Sequence, residues 1–314
     1  MIPRSRSEES ILTLFSATTP AELDNASIFS DETVSASLVP VFGVKLLSYT
    51  RIREMPLVVG HIKLDLQLYS SLRSLKDDEP PMFTIQLNKF HFLKKNAPLL
   101  TTYFHDGSLK LEFCKVYFKI LLNNLTCYVL MFHNGENIVL FNDALKPHAD
   151  AIYKGTKLRV FGASGASSTF GNGLIKLFLL HDLTPTLADG VDCDNIDTAA
   201  SIKDVDLTGI NDNPLYLAVT KQDRSGVLKL LSQASPLVNI PYASYVDNGD
   251  ERLEGVRVTG TVRLFESVAE GVADDGEAEI TRTSLIMASM MMVLIEQELR
   301  KMRGTNKPLI VGGT

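Results

Sequence analysis

From residue 285 to residue 295 every side chain is apolar except Ser289, so this stretch has no polar face to turn to water and must be buried. The spacing predicts a helix over residues 283–303. Beyond Glu296 the pattern becomes one-sided, with Ile295, Leu299 and Met302 in phase, charged residues between them, and Gly304 as a C-terminal cap. The apolar run is shorter than the ~20 residues a bilayer span needs, and Arg282 and Glu296 fence it. A core helix is expected, not a membrane helix.

Nearly everything before that helix alternates with period two. Residues 61–68 place Ile62, Leu64, Leu66 and Leu68 on one face. Residues 83–92 and 109–122 also read as strands, but their apolar positions change parity, between Leu87 and Phe90 and between Phe113 and Val116. Such slips predict bulges in a curved sheet. His133-Asn134-Gly135-Glu136 between residues 125–132 and 137–141 is a hairpin signal, because Asn-Gly accepts positive φ. Residues 157–161, 174–180 and 256–265 are further strands, and 215–220 with 227–231 read as one more hairpin. About a dozen strands and a single long helix favour a closed antiparallel barrel of about twelve strands around the buried C-terminal helix. Residues 1–36, rich in Ser, Thr, Asp and Glu, read as a flexible arm. The barrel is then expected over residues 37–304 with a tail at 305–314, and the acidic segments 182–212 and 266–279 as exposed loops.

Composition narrows the function classes. An apolar content of 45% is ample for a core, while a net charge of −6 argues against a nucleic-acid binder. Cys114, Cys127 and Cys193 are an odd number without metal-ligand spacing, which predicts buried free thiols in a reducing compartment. The apolar piece at residues 11–15 is too short for a secretory signal, so the expectation is an intracellular, cytoplasmic protein.

Several stretches carry candidate chemistry. The run Gly162-Ala163-Ser164-Gly165 after a strand resembles the opening of short-chain dehydrogenases, so an NAD(P)-dependent oxidoreductase using Gly162 and Gly165 is one reading. It requires a helix next, whereas residues 174–180 are dense in strand formers. Asp189, Asp192, Asp194 and Asp197 lack the glycine and closing glutamate of a calcium loop. The six histidines are dispersed, and no nucleophile elbow or Cys/His pairing stands out. No catalytic residue, metal site or cofactor is therefore assigned. The methionines Met287, Met290, Met291 and Met292 could line a binding groove, but on a helix apolar all round they read as core. Lys154, Lys157 and Arg159, with Lys176 on the next strand, form a small basic group. It suits a phosphate headgroup, or it is an ordinary exposed strand edge.

The paired strands at residues 128–141, Gly155-Thr156-Lys157-Leu158-Arg159 opening another, the strand at 170–182 and the closing apolar helix resemble the tubby-like C-terminal domain. That superfamily also includes phospholipid scramblases and LURP-one-related proteins. The resemblance implies a twelve-stranded barrel around a hydrophobic helix. It also implies phosphoinositide binding through the Lys-Leu-Arg strand start, here Lys157 and Arg159. The family's residues after that motif are replaced by Val160-Phe161-Gly162-Ala163-Ser164-Gly165. The expected function is thus a non-enzymatic protein that binds anionic phospholipid headgroups as a peripheral membrane protein, or acts as an adaptor. A protein partner would be engaged by the N-terminal arm. A plain protein-interaction scaffold without ligand is the other alternative.

Overall fold

The computed structural model describes residues 51–59, 65–88, 97–121, 125–143, 148–162, 174–191, 212–233, 236, 241–248, 252–253, 255–266 and 282–305. The expected arm and C-terminal tail, the strand residues 61–64 and the parity change after Leu87 lie outside them. So do Gly165, Cys193, most of the acidic segment 182–212 and all but Glu266 of the segment 266–279.

Twelve antiparallel strands close into a barrel. In chain order they are β1 (Arg51–Val59), β2 (Leu66–Leu68), β3 (Phe83–Leu87), β4 (Leu100–Asp106), β5 (Leu109–Ile120), β6 (Leu125–Phe132), β7 (Asn137–Asp143), β8 (His148–Tyr153), β9 (Thr156–Phe161), β10 (Leu174–Leu180), β11 (Ala243–Asp247) and β14 (Gly260–Glu266). The two-residue strands β12 (Arg252–Leu253) and β13 (Val256–Arg257) form a separate hairpin between the last two. Each barrel strand pairs with its neighbours in this order, and β14 returns to β1. Closure leaves the barrel itself no unpaired strand edge, which removes the usual route to edge-to-edge aggregation there.

Along every strand alternate residues turn inward, and all twelve contribute to one apolar cluster. The same cluster contains residues 286–288 and 290–295 of the helix α4 (Arg282–Thr305), each at most 2% exposed. The helix core predicted from the apolar run is therefore real, and its methionines are packing residues. Ser289, the polar exception, donates to the carbonyl of Leu285 one turn back at 2.9 Å, so the rod carries no unsatisfied hydroxyl there. The parity slip in β5 is a bulge: Thr102 faces Cys114 and Tyr103 faces Glu112, which leaves Phe113 unopposed.

Two expectations are corrected. Residues 215–220 and 227–231 form helices, α2 (Pro214–Thr220) and α3 (Arg224–Ser232). Their apolar runs are too short to separate helix from strand by length, but the end chemistry decides. Asn213 Oδ1 accepts from the N–H groups of Leu215 and Tyr216, Pro214 stands in the first turn, and Asp223 Oδ1 accepts from Gly226. The segment after Asp182 is also not simply exposed, since Thr184, Thr186, Leu187 and Ala188 are buried. Leu187, Ala188 and Val191 join α2 and α3 in a second apolar cluster on the outer wall of β6 and β7, against Val129, Val139 and Phe141. A short helix α1 (Leu72–Lys76), capped by Ser71, had no signal beyond its cap.

Candidate functional site

The neighbours Leu158 and Val160 point into the barrel core, so Lys157 and Arg159 must point outward. Outward here does not mean exposed. The Arg159 guanidinium is 0% exposed and grips Asp150 of β8 in a two-pronged pair, Nε to Oδ1 at 2.7 Å and Nη2 to Oδ2 at 2.9 Å. Nη2 also donates to the Pro185 carbonyl at 2.7 Å, while the Leu187 N–H donates to Asp150 Oδ2 at 2.8 Å. Burial pushes the Asp150 carboxyl up, but the charge and hydrogen bonds of Arg159 outweigh it and hold the carboxyl below its ordinary value. Lys157 donates to the Thr184 carbonyl at 2.8 Å and pairs with Asp189 at 2.9 Å. Asp189 in turn accepts from Thr186, and Asn213 Nδ2 donates to the carbonyls of Thr186 and Asp189. Both cations of the Lys-Leu-Arg strand start are thus engaged in fastening residues 184–191 to the barrel wall.

The other two predicted cations stand elsewhere. Lys176 lies opposite Phe161, at the far end of β9 from Lys157, half-buried and with its amine lowered by that burial. Lys154 forms the β8–β9 turn with Gly155, and both have positive φ, 47° and 76°. A lysine there is strained where asparagine or glycine would be relaxed. Its side chain is 48% exposed and its ammonium lies 5.3 Å from the centre of the Tyr153 ring.

Lys154 belongs to a cluster that sequence spacing could not assemble. The β6–β7 turn brings Glu136 to the end of the barrel where α4 enters, and three groups converge on its carboxylate. Tyr153 donates its hydroxyl at 3.3 Å, Lys154 Nζ lies at 3.6 Å and Arg282 Nη2 at 3.4 Å. Burial first, then the Glu136 charge, pushes the Tyr153 phenol up to about 12. Gly107, Gly135 and Gly155 top the β4–β5, β6–β7 and β8–β9 turns at this same end. So does the turn after β10, whose Leu183 is 87% exposed.

The remaining sequence candidates gather no site. Gly162 has φ 83°, but the element after the Gly-rich run is β10, a strand antiparallel to β9. Among the described residues, the helix N-terminus that a dinucleotide would rest on does not follow Gly162; a strand stands where the Gly162/Gly165 reading needs a helix. Cys114 and Cys127 are buried and outside any disulfide, and burial drives the Cys114 thiol far up. Among the described residues no cluster of His, Cys, Asp and Glu could hold a metal ion, and no helix is long and apolar enough to cross a membrane.

Residues 78–303, most of the chain and most of its barrel, match the family described as DIA1. The chain belongs to the DIA1 family. Comparison with curated proteins and with solved structures returned no match. In this DIA1 family member, sequence reasoning missed Asp150 and Glu136 and did not foresee the ion pairs of Asp189 and Arg282. Asp150 and Glu136 are single carboxylates in strand-and-turn sequence, and nothing in their spacing reveals the cations they face. Asn213 and Asp223 could have been found from capping chemistry, since each stands just before an apolar run.

Proposed function

We propose that this protein is a non-enzymatic binder of anionic phospholipid headgroups that meets the membrane with the hairpin-tip end of its barrel. The observation that carries this reading is the exposure of Leu109, Leu111 and Leu183 at the end that also holds Lys110, Lys154 and Arg282. Exposed aliphatic tips beside cations suit the boundary of a bilayer, where leucine enters the acyl region and the cations meet phosphate. The chain as a whole carries −6, so the attraction is local to these tips and not a property of net charge. Lys157 and Arg159, the pair implied by the tubby-like resemblance, support the site from beneath by fixing residues 184–191. Liposome flotation tests the reading. Vesicles of phosphatidylcholine with a phosphoinositide are expected to carry the protein, phosphatidylcholine alone is not, and Leu183→Asp is expected to reduce recovery several-fold. Equal recovery on both vesicle types would end the headgroup reading.

An adaptor function is favoured by a different observation. Phe118 and Ile120, at the opposite end of β5, are exposed, and Phe118 packs on Tyr128. An apolar pair away from the proposed membrane face fits contact with a protein. Absence of flotation, together with a partner lost on Ile120→Asp, would favour this second reading.

A further inference from the structure

The three donors around Glu136 are a poor match for the carboxylate they hold. Charge-assisted pairs ordinarily close to about 2.7–2.9 Å, and this protein reaches that range in Arg159–Asp150 and Lys157–Asp189. Around Glu136 the distances are 3.3, 3.4 and 3.6 Å. The three groups come from the end of β8, the β8–β9 turn and the first residue of α4, so they define a space wider than a carboxylate fills. Arg282 and Lys154 are each about half exposed. Exposed pairs of this kind contribute little to stability, so Glu136 can leave at little cost. A strained Lys154 backbone at the same point is the kind of feature retained where a side chain has a task.

We propose that Tyr153, Lys154 and Arg282 form a binding site for a phosphate monoester and that Glu136 is its built-in competitor, occupying the site until the ligand displaces it. A phosphate group offers three oxygens and a charge near −2, enough for all three donors at once, whereas the carboxylate gives each a long contact. The site rests on the headgroup reading for its lipid source, but its chemistry is the same for a phosphorylated headgroup and for a free inositol phosphate.

Two probes separate these sources: inositol hexakisphosphate in solution, measured by calorimetry, and phosphoinositide vesicles, measured by flotation. With the soluble probe, Glu136→Gln is expected to tighten binding about tenfold, and Arg282→Ala and Lys154→Ala to weaken it by at least as much. Asp182→Asn makes the same change in net charge at the same end of the barrel without touching the cluster, and is expected to leave affinity unchanged. Equal gains in both charge variants, or no gain in Glu136→Gln, overturn the proposal. If wild-type protein floats on phosphoinositide vesicles and all three cluster variants float equally, the membrane reading stands and this site falls. If the soluble probe behaves as expected and flotation fails, the site stands and the membrane reading falls.

Discussion

Asp150 and Arg159 show how much one residue's surroundings decide. A basic side chain in the middle of an outward face is ordinarily solvated, yet Arg159 is wholly buried because residues 184–191 cover it and Asp150 neutralises it. Removing one partner of a buried pair strands the other charge, which costs about 3–5 kcal/mol. Asp150→Ala is therefore expected to lower the stability measured by urea unfolding by that amount, far more than Glu54→Ala at the exposed Arg263 pair. The pH dependence has a definite sign. The Asp150 carboxyl is held below its ordinary value, so its contribution is complete above about pH 4 and is lost as pH falls through the lowered value. An acid titration of unfolding free energy should show wild type losing its advantage over Asp150→Ala below about pH 4.

At the scale of elements, the helix pair α2–α3 and residues 184–191 act as one cover on the barrel wall. Asn213 joins them, since its Oδ1 caps α2 while its Nδ2 donates to the carbonyls of Thr186 and Asp189. Asn213→Ala removes a cap worth about 1 kcal/mol and also leaves buried carbonyls unsatisfied. A total loss of about 2–3 kcal/mol is expected, whereas Asp223→Ala at the exposed cap of α3 should lose only about 1 kcal/mol. Chemical denaturation of the two variants checks the difference. The sequence of both helices also suits a hairpin, because apolar runs of five or six residues fit either period. The hairpin reading overlooked the caps, which were visible as Asn213-Pro214 and Asp223. Nothing local showed that Leu187 and Ala188 after β10 would be buried, because they gain their value only against Val139 and Phe141 on distant strands.

The whole molecule is organised by its filled interior. A closed barrel of twelve strands without α4 would enclose an apolar void, and α4 without the barrel would expose a run of apolar side chains. Each is the other's solvent. Met291→Ala, in the middle of the rod, is expected to cost about 2–5 kcal/mol through lost burial and the cavity left behind. Wild type should unfold in one transition. Cys114, buried in the barrel interior, should react with a thiol reagent at the same denaturant concentration at which the far-ultraviolet signal of the strands is lost. Reaction at lower denaturant would show that the wall opens apart from the helix.

By itself the sequence determined the period of the longer segments, and with it the barrel. An apolar run without a polar face can only be enclosed, and strands with one apolar face can enclose it. The bulge at Phe113 and the turn at Gly135 were legible for the same reason, since parity and positive φ are local properties. Only the tertiary structure decided what the cations do. Lys157, Arg159, Lys154 and Arg282 look alike in sequence, but the carboxylate each meets comes from far along the chain or across a turn. A charge is committed or available according to that partner's distance and to what covers it, and neither quantity is written in local spacing.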